Sequence, residues 1–170
     1  MALVKDGRAV ADSWVAVADD APVPADVPAL VGFARWQAGR DALLAGRTAP
    51  LGVRATSATL AEALAPALAD VALVALEFPK FRDGRAFSTA RELRERHGFT
   101  GEIRAVGHVI PDQYLFLVHC GFTTVEVPDG ANLDTWAAAL KESTAGYVTD
   151  RQSTEPLAFL RRHAAASSGG

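Results

Sequence analysis

The longest continuous pattern in the chain lies between residues 71 and 107. An apolar run, VALVALEF, leads into a charged turn, PKFRDGR, then an amphipathic stretch, FSTARELRERHG, and a second short run, EIRAVG. A run that is apolar on both faces fits a central strand of a parallel sheet. In the stretch that follows, Phe87, Ala90, Leu93 and His97 share one helical face, and Arg91, Glu92, Glu95 and Arg96 turn to water. Thr89 followed by Glu92 fits a capping box, so Ser88-Thr89 is expected to open this helix and Gly98 to stop it. Residues 102–106 are the next strand.

The same reading extends to both sides. Leu3, Val4, Val10, Val15 and Val17 flank Lys5-Asp6-Gly7-Arg8, and Asp-Gly between apolar runs predicts a β-hairpin, with a further short strand near Trp14. Residues 19–28, rich in proline and aspartate, form a connecting loop. Pro28 can start a helix, and Phe33, Trp36, Arg40, Leu43 and Leu44 recur at helical spacing, which predicts a helix over residues 30–45. Residues 51–55 read as a strand, and Thr59 with Glu62 as the capping box of a helix through residue 69. Pro111 opens and Gly121 closes another helix, residues 123–127 are a strand, and residues 133–142 a last helix.

These elements predict one α/β domain over residues 1–150, with residues 1–28 its hairpin and loop. A tail, 151–170, carries a short amphipathic segment at 156–163 and a frayed end. About four consecutive β–α units after an N-terminal hairpin and helix imply a parallel sheet with right-handed crossovers. The sheet is either half of a (β/α)-barrel or open and doubly wound, since four strands cannot close a barrel.

Composition narrows the function. A net charge of −3 argues against general nucleic-acid binding. The single cysteine, Cys120, cannot form an intramolecular disulfide or build an iron–sulfur site, and it fits a reducing, cytoplasmic setting. Lys5, Asp6 and Arg8 interrupt any apolar leader, and no apolar stretch approaches the roughly 20 residues of a membrane span. The four histidines lack metal-ligand spacing, so no metal is expected. The glycine-rich fingerprints of dinucleotide and P-loop sites are missing, so no cofactor is expected in this chain.

In parallel α/β folds ligands sit beyond the carboxyl ends of strands. That rule makes the 79–85 turn the richest candidate. Lys80, Arg82, Arg85, Ser88 and the more distant Gln113 are candidates to bind an anion, the arginines bidentately and Lys80 as a mobile point charge. Glu77 and Asp112 are candidate acid/base groups, and Phe81 and Asp83 candidate contacts for a protein partner. The competing reading is a solvated turn whose charges pair with Glu77 and Asp83. His108 and Glu126 are weaker proton-transfer candidates, and Cys120 reads as a small core residue. Open sheet edges leave room for a homodimer.

The opening MALVKDGRAV, the segment FARWQAGRDALLAG, the long block LVALEFPKFRDGRAFSTARELRERHGFTGEIRAVG and PDQYLFLVHCGF resemble a bacterial family labelled as oxidoreductases of sulfite reduction. The resemblance covers residues 1–127 and is most specific in the EFPKF-DGR and DQ-CGF stretches. It implies a role beside sulfite reductase in assimilatory sulfur metabolism and carries over no catalytic residue. With no cofactor motif in the chain, an accessory protein that binds sulfite reductase or a small oxyanion through the 79–85 loop is the expectation. The alternative is a small (β/α)-type enzyme in which Lys80 and Arg85 hold an anionic substrate.

Overall fold

A computed structural model describes residues 1–80 and 83–146. The tail and its 156–163 segment lie outside the described residues. The chain opens with β1 (Ala2–Lys5) and β2 (Arg8–Val10), joined by a tight turn with positive φ at Asp6 (50°) and Gly7 (73°), as a type I′ hairpin requires. β3 (Val15–Ala16) and β4 (Ala29–Gly32) precede α1 (Phe33–Leu44). Then come β5 (Leu51–Ala55), α2 (Ala61–Leu64) with a 3₁₀ turn, β6 (Leu73–Phe78), α3 (Arg85–Glu95) and β7 (Glu102–Gly107). A 3₁₀ turn (Pro111–Gln113) leads into α4 (Tyr114–His119), followed by β8 (Thr124–Val127) and α5 (Leu133–Gly146).

Among the described residues the strands form one eight-stranded sheet in the order β2-β1-β8-β7-β6-β5-β4-β3. β3 to β8 are parallel, and the β1–β2 hairpin adds antiparallel strands beside β8. From β3 to β8 the order never reverses, so right-handed crossovers put every helix on the same face. This is a curled half-barrel, and the doubly wound alternative, which needs a reversal of strand order, does not hold.

The curvature follows from one connection. Residues 11–14 carry the chain from β2 at one edge of the sheet to β3 at the other. Seven strand spacings of a flat sheet span about 34 Å, whereas the five steps from Val10 to Val15 reach at most about 18 Å, so the sheet bends through about half a turn. This strap crosses the concave face. Trp14 packs there with Leu30, Leu73, Ala75 and Val106, and lies against Gly52, where an added Cβ would be 3.2 Å from its ring.

The main core lies on the convex face. Val31, Val53, Val74, Leu76, Phe78, Ile103 and Val125 of the strands meet Phe33 and Trp36 of α1, Leu64 of α2, Leu93 of α3, Leu117 of α4 and Trp136 of α5. Buried Tyr114 packs edge-on against Trp136 and accepts a hydrogen bond from the Gly7 N–H at 2.9 Å, which docks the hairpin turn on the helical layer. Arg94 fastens connections on this side by donating to the carbonyls of Phe99, Gly101 and Gly121, and burial pushes its guanidinium down to about 10.

Three expectations are corrected. The helix over residues 30–45 begins only at Phe33, because residues 29–32 form β4, buried between β3 and β5; five β–α units result rather than four. The Thr59 capping box does not form: Leu60 is the N-cap of α2, and the Thr59 hydroxyl lies 3.2 Å from that of Thr56. Ser88-Thr89 does not open α3, which starts one turn earlier at Arg85; Thr89 is buried and donates to the Thr59 carbonyl.

Candidate functional site

The parallel strands β3 to β6 end together, and a cleft of about 620 Å³ opens at their carboxyl ends. Period-two alternation places its charged side chains. In β5, Leu51, Val53 and Ala55 are buried on the convex face, so Arg54 projects from the concave one. In β6, Leu76 and Phe78 are buried, and Glu77 stands on the same side as Arg54. Arg54 Nε donates to Glu77 Oε1 at 2.7 Å, and both line the cleft. The opposite wall comes from the connection after β3. Arg35 donates through Nη1 and Nη2 to the carbonyls of Ala18 and Ala21, both at 2.6 Å, which holds that connection against α1. Asp19, between them, lies over the end of β4: a Cβ added to Gly32 would sit 2.9 Å from its Oδ1. Gln37, Thr56 and Thr59 add neutral polar groups. A second hollow of about 470 Å³ opens at the other end of the strands, with His97 as its sole titratable side chain.

Next to the cleft, the β6–α3 connection forms a closed polar cluster. Arg85 grips Asp83 in a fork, with Nε to Oδ1 at 2.9 Å and Nη2 to Oδ2 at 2.7 Å. Ser57, from the β5–α2 connection, donates to Asp83 Oδ2 at 2.8 Å and accepts from Arg85 Nη2 at 3.0 Å. The hydrogen bonds from Arg85 and then Ser57 hold the Asp83 carboxyl far below the usual carboxylate range, while Asp83 raises Arg85 in return. A guanidinium forked onto its own carboxylate offers little to an external oxyanion.

The structure thus brings Asp83 and Arg85 together and adds Ser57. Glu77 joins Arg54 instead. Lys80 and Ser88 are exposed; Asp112 is exposed and Gln113 half-buried in the 3₁₀ turn after β7. Phe81 and Arg82 lie outside the described residues. Among the described residues no ion pair links Glu77, Lys80 and Asp112 to one another. Cys120 is buried, and burial pushes its thiol up, with Arg91 Nη2 3.6 Å away. Arg54, Asp19 and Gln37 were not singled out in the sequence. Arg54 does carry a signal, a cation in the polar phase of a short apolar strand beside Glu77 in the next.

Phe87, in the first turn of α3, packs on Phe78 at 5.0 Å between ring centroids and on Phe116 at 4.8 Å. Phe116 is 50% exposed, so this aromatic stack reaches the surface where the 79–84 connection leaves the sheet. Ile110, 37% exposed, lies at the head of the turn before α4.

Fold and site together define a half-barrel α/β domain with a charged cleft at its strand carboxyl ends. Residues 52–158, more than half the chain, match the model of a bacterial protein family of unknown function (DUF934), and the chain belongs to that family. No curated protein matches it. The match takes in Arg54, Glu77 and the Ser57–Asp83–Arg85 cluster; Asp19, Gly32 and Gln37 precede it. Among the described residues there is no group of three or more His, Cys, Asp or Glu side chains suited to a metal, and no helix long and apolar enough to cross a membrane.

Proposed function

We propose that the protein is an accessory component of assimilatory sulfite reduction that docks onto sulfite reductase through the face around the 79–85 connection. The observation that carries a docking role is the aromatic stack of Phe116 on Phe87, with Phe116 half exposed. Aromatic anchors are enriched where proteins meet. The engagement of Arg85 by Asp83 favours docking over direct capture of an oxyanion. The identity of the partner rests on the sequence resemblance. With purified sulfite reductase from the same organism, calorimetry should register a complex that Phe116→Ala weakens roughly tenfold or more, about 1.4 kcal/mol, and Lys80→Ala weakens less. A heat trace without binding, or one that Phe116→Ala leaves unchanged, rejects the reading.

A small enzyme is the second reading, favoured by the place of Glu77 at a strand carboxyl end inside the cleft. Consumption of an anionic metabolite that Glu77→Gln abolishes would decide for it.

A further inference from the structure

The cleft carries charge in an order that protein docking at the neighbouring aromatic face does not need. Three ionisable side chains stand on three adjacent strand ends: Asp19 over β4, Arg54 on β5 and Glu77 on β6. Their signs alternate, with the cation in the middle. Arg54 gives Glu77 its Nε hydrogen. Among the described residues, its two Nη groups and the Asp19 carboxylate have no further hydrogen-bond or ion-pair partner.

We infer that this cleft binds a small zwitterion, its oxyanion on the Nη groups of Arg54 and its ammonium on the Asp19 carboxylate. Charge selects the class. A bare oxyanion placed on Arg54 meets two carboxylates alongside, and a bare cation placed on Asp19 meets the neighbouring guanidinium with no anion between them. With Glu77 held by Arg54 Nε, a ligand with both signs answers Arg54 and Asp19 together, and each single-sign competitor meets a repulsive element. A guanidinium is suited to bidentate capture of a carboxylate or similar oxyanion, and a carboxylate accepts the donors of an ammonium. The volume, about 620 Å³, falls in the range of small-molecule sites and leaves space beyond a zwitterionic head for a side chain. Gln37, Thr56 and Thr59 line the remainder. At Gly32, an added Cβ would lie 2.9 Å from Asp19 Oδ1, so a side chain there would displace the carboxylate from this position.

The test is a titration of the full chain with glycine, read from amide NMR shifts at Gly32, Arg54 and Glu77, with acetate and methylammonium as half-ligands. Glycine should saturate the site in the millimolar range, each half-ligand should bind far more weakly, and Arg54→Gln and Asp19→Asn should each weaken glycine roughly tenfold or more. Acetate as tight as glycine and indifferent to Asp19→Asn would make it a plain anion site and overturn the inference. So would methylammonium as tight as glycine and indifferent to Arg54→Gln, or no saturation by glycine. Arg54→Gln also removes the partner of Glu77, so Asp19→Asn, isosteric and on a surface connection, keeps the result readable if the first variant is unstable. None of these outcomes touches the Phe116 test, which probes a separate face.

Discussion

Arg104 is a cation 3% exposed on the concave face of a sheet, a position most sequences fill with an apolar residue. It is tolerated because its donors are taken: Nη1 and Nη2 by Asp12 of the strap at 2.7 and 3.1 Å, and Nε by Glu102 at 3.0 Å. Glu102 in turn accepts from the Thr124 hydroxyl at 2.6 Å. The two ends of this network are unequal, since the carboxylates reach the rim and the guanidinium does not. Removing both partners, Asp12→Asn with Glu102→Gln, should therefore cost about 3–5 kcal/mol in chemical denaturation, and Arg104→Met, which leaves two carboxylates able to reach water, clearly less. Partial burial works to raise the Asp12 carboxyl, but hydrogen bonds from Arg104 and the Trp14 N–H outweigh it, and the net shift is downward. A carboxyl lowered by folding stabilises above its ordinary value and loses that contribution as pH falls through the folded one. The stability gap between wild type and Asp12→Asn should accordingly hold at neutral pH and close as pH drops below 3.8, the ordinary value. At this scale the sequence was legible where partners are near neighbours, as with the Asp83–Arg85 turn. It was silent where register brings strands together: nothing local says that Glu77 faces Arg54, or that Asp12 crosses to Arg104.

Elements were read correctly where punctuation and periodicity agree. The Asp6-Gly7 hairpin, β5, β6 and the Pro111–Gly121 helix follow their turn and breaker residues closely. β4 escaped because its apolar residues run straight into the apolar face of α1, and a short apolar run does not reveal where a strand stops and a helix begins. The capping boxes failed because a Thr-x-x-Glu spacing is cheap in helix-rich sequence, and here the Thr59 hydroxyl meets Thr56 in its own connection while that of Thr89 reaches the Thr59 carbonyl of a neighbouring one. The hairpin offers a sharp test of an element held by its turn. Gly7 has φ of 73°, and a Cβ there would lie 2.9 Å from the Ala137 backbone in α5. Gly7→Ala should cost about 2 kcal/mol or more, through left-handed strain and a backbone clash, and loosen the Tyr114 contact; urea unfolding and the Tyr114 ring signals would report both.

For the whole molecule, the fold class was legible and the closure was not. Alternating strands and helices pointed to a parallel sheet and left half-barrel and doubly wound forms open, and the strap that goes with the half-barrel is four residues between two short strands. The hairpin it follows pairs with β8: Val4, fully buried, lies opposite Val125. Closing so long a loop costs more entropy than forming the local β–α contacts, which makes late seating of the hairpin the expected order. Val4→Ala should then remove about 2 kcal/mol of stability almost wholly by speeding unfolding, leaving the refolding limb of the chevron nearly unmoved; a slowed refolding limb would place the hairpin in the nucleus instead.

The pairing of β1 with β8 also bears on how the chain is made. A ribosome delivers β1 together with its hairpin partner β2, and its other sheet neighbour, β8, more than a hundred residues later. During that interval β1 can pair only with β2 and Val4 lacks its place in the core, while the β–α units before β8 can collapse in order as they emerge. A hairpin made before the parallel strands is seated after them, so the nascent chain carries one unpaired edge of β1 until β8 has left the exit tunnel.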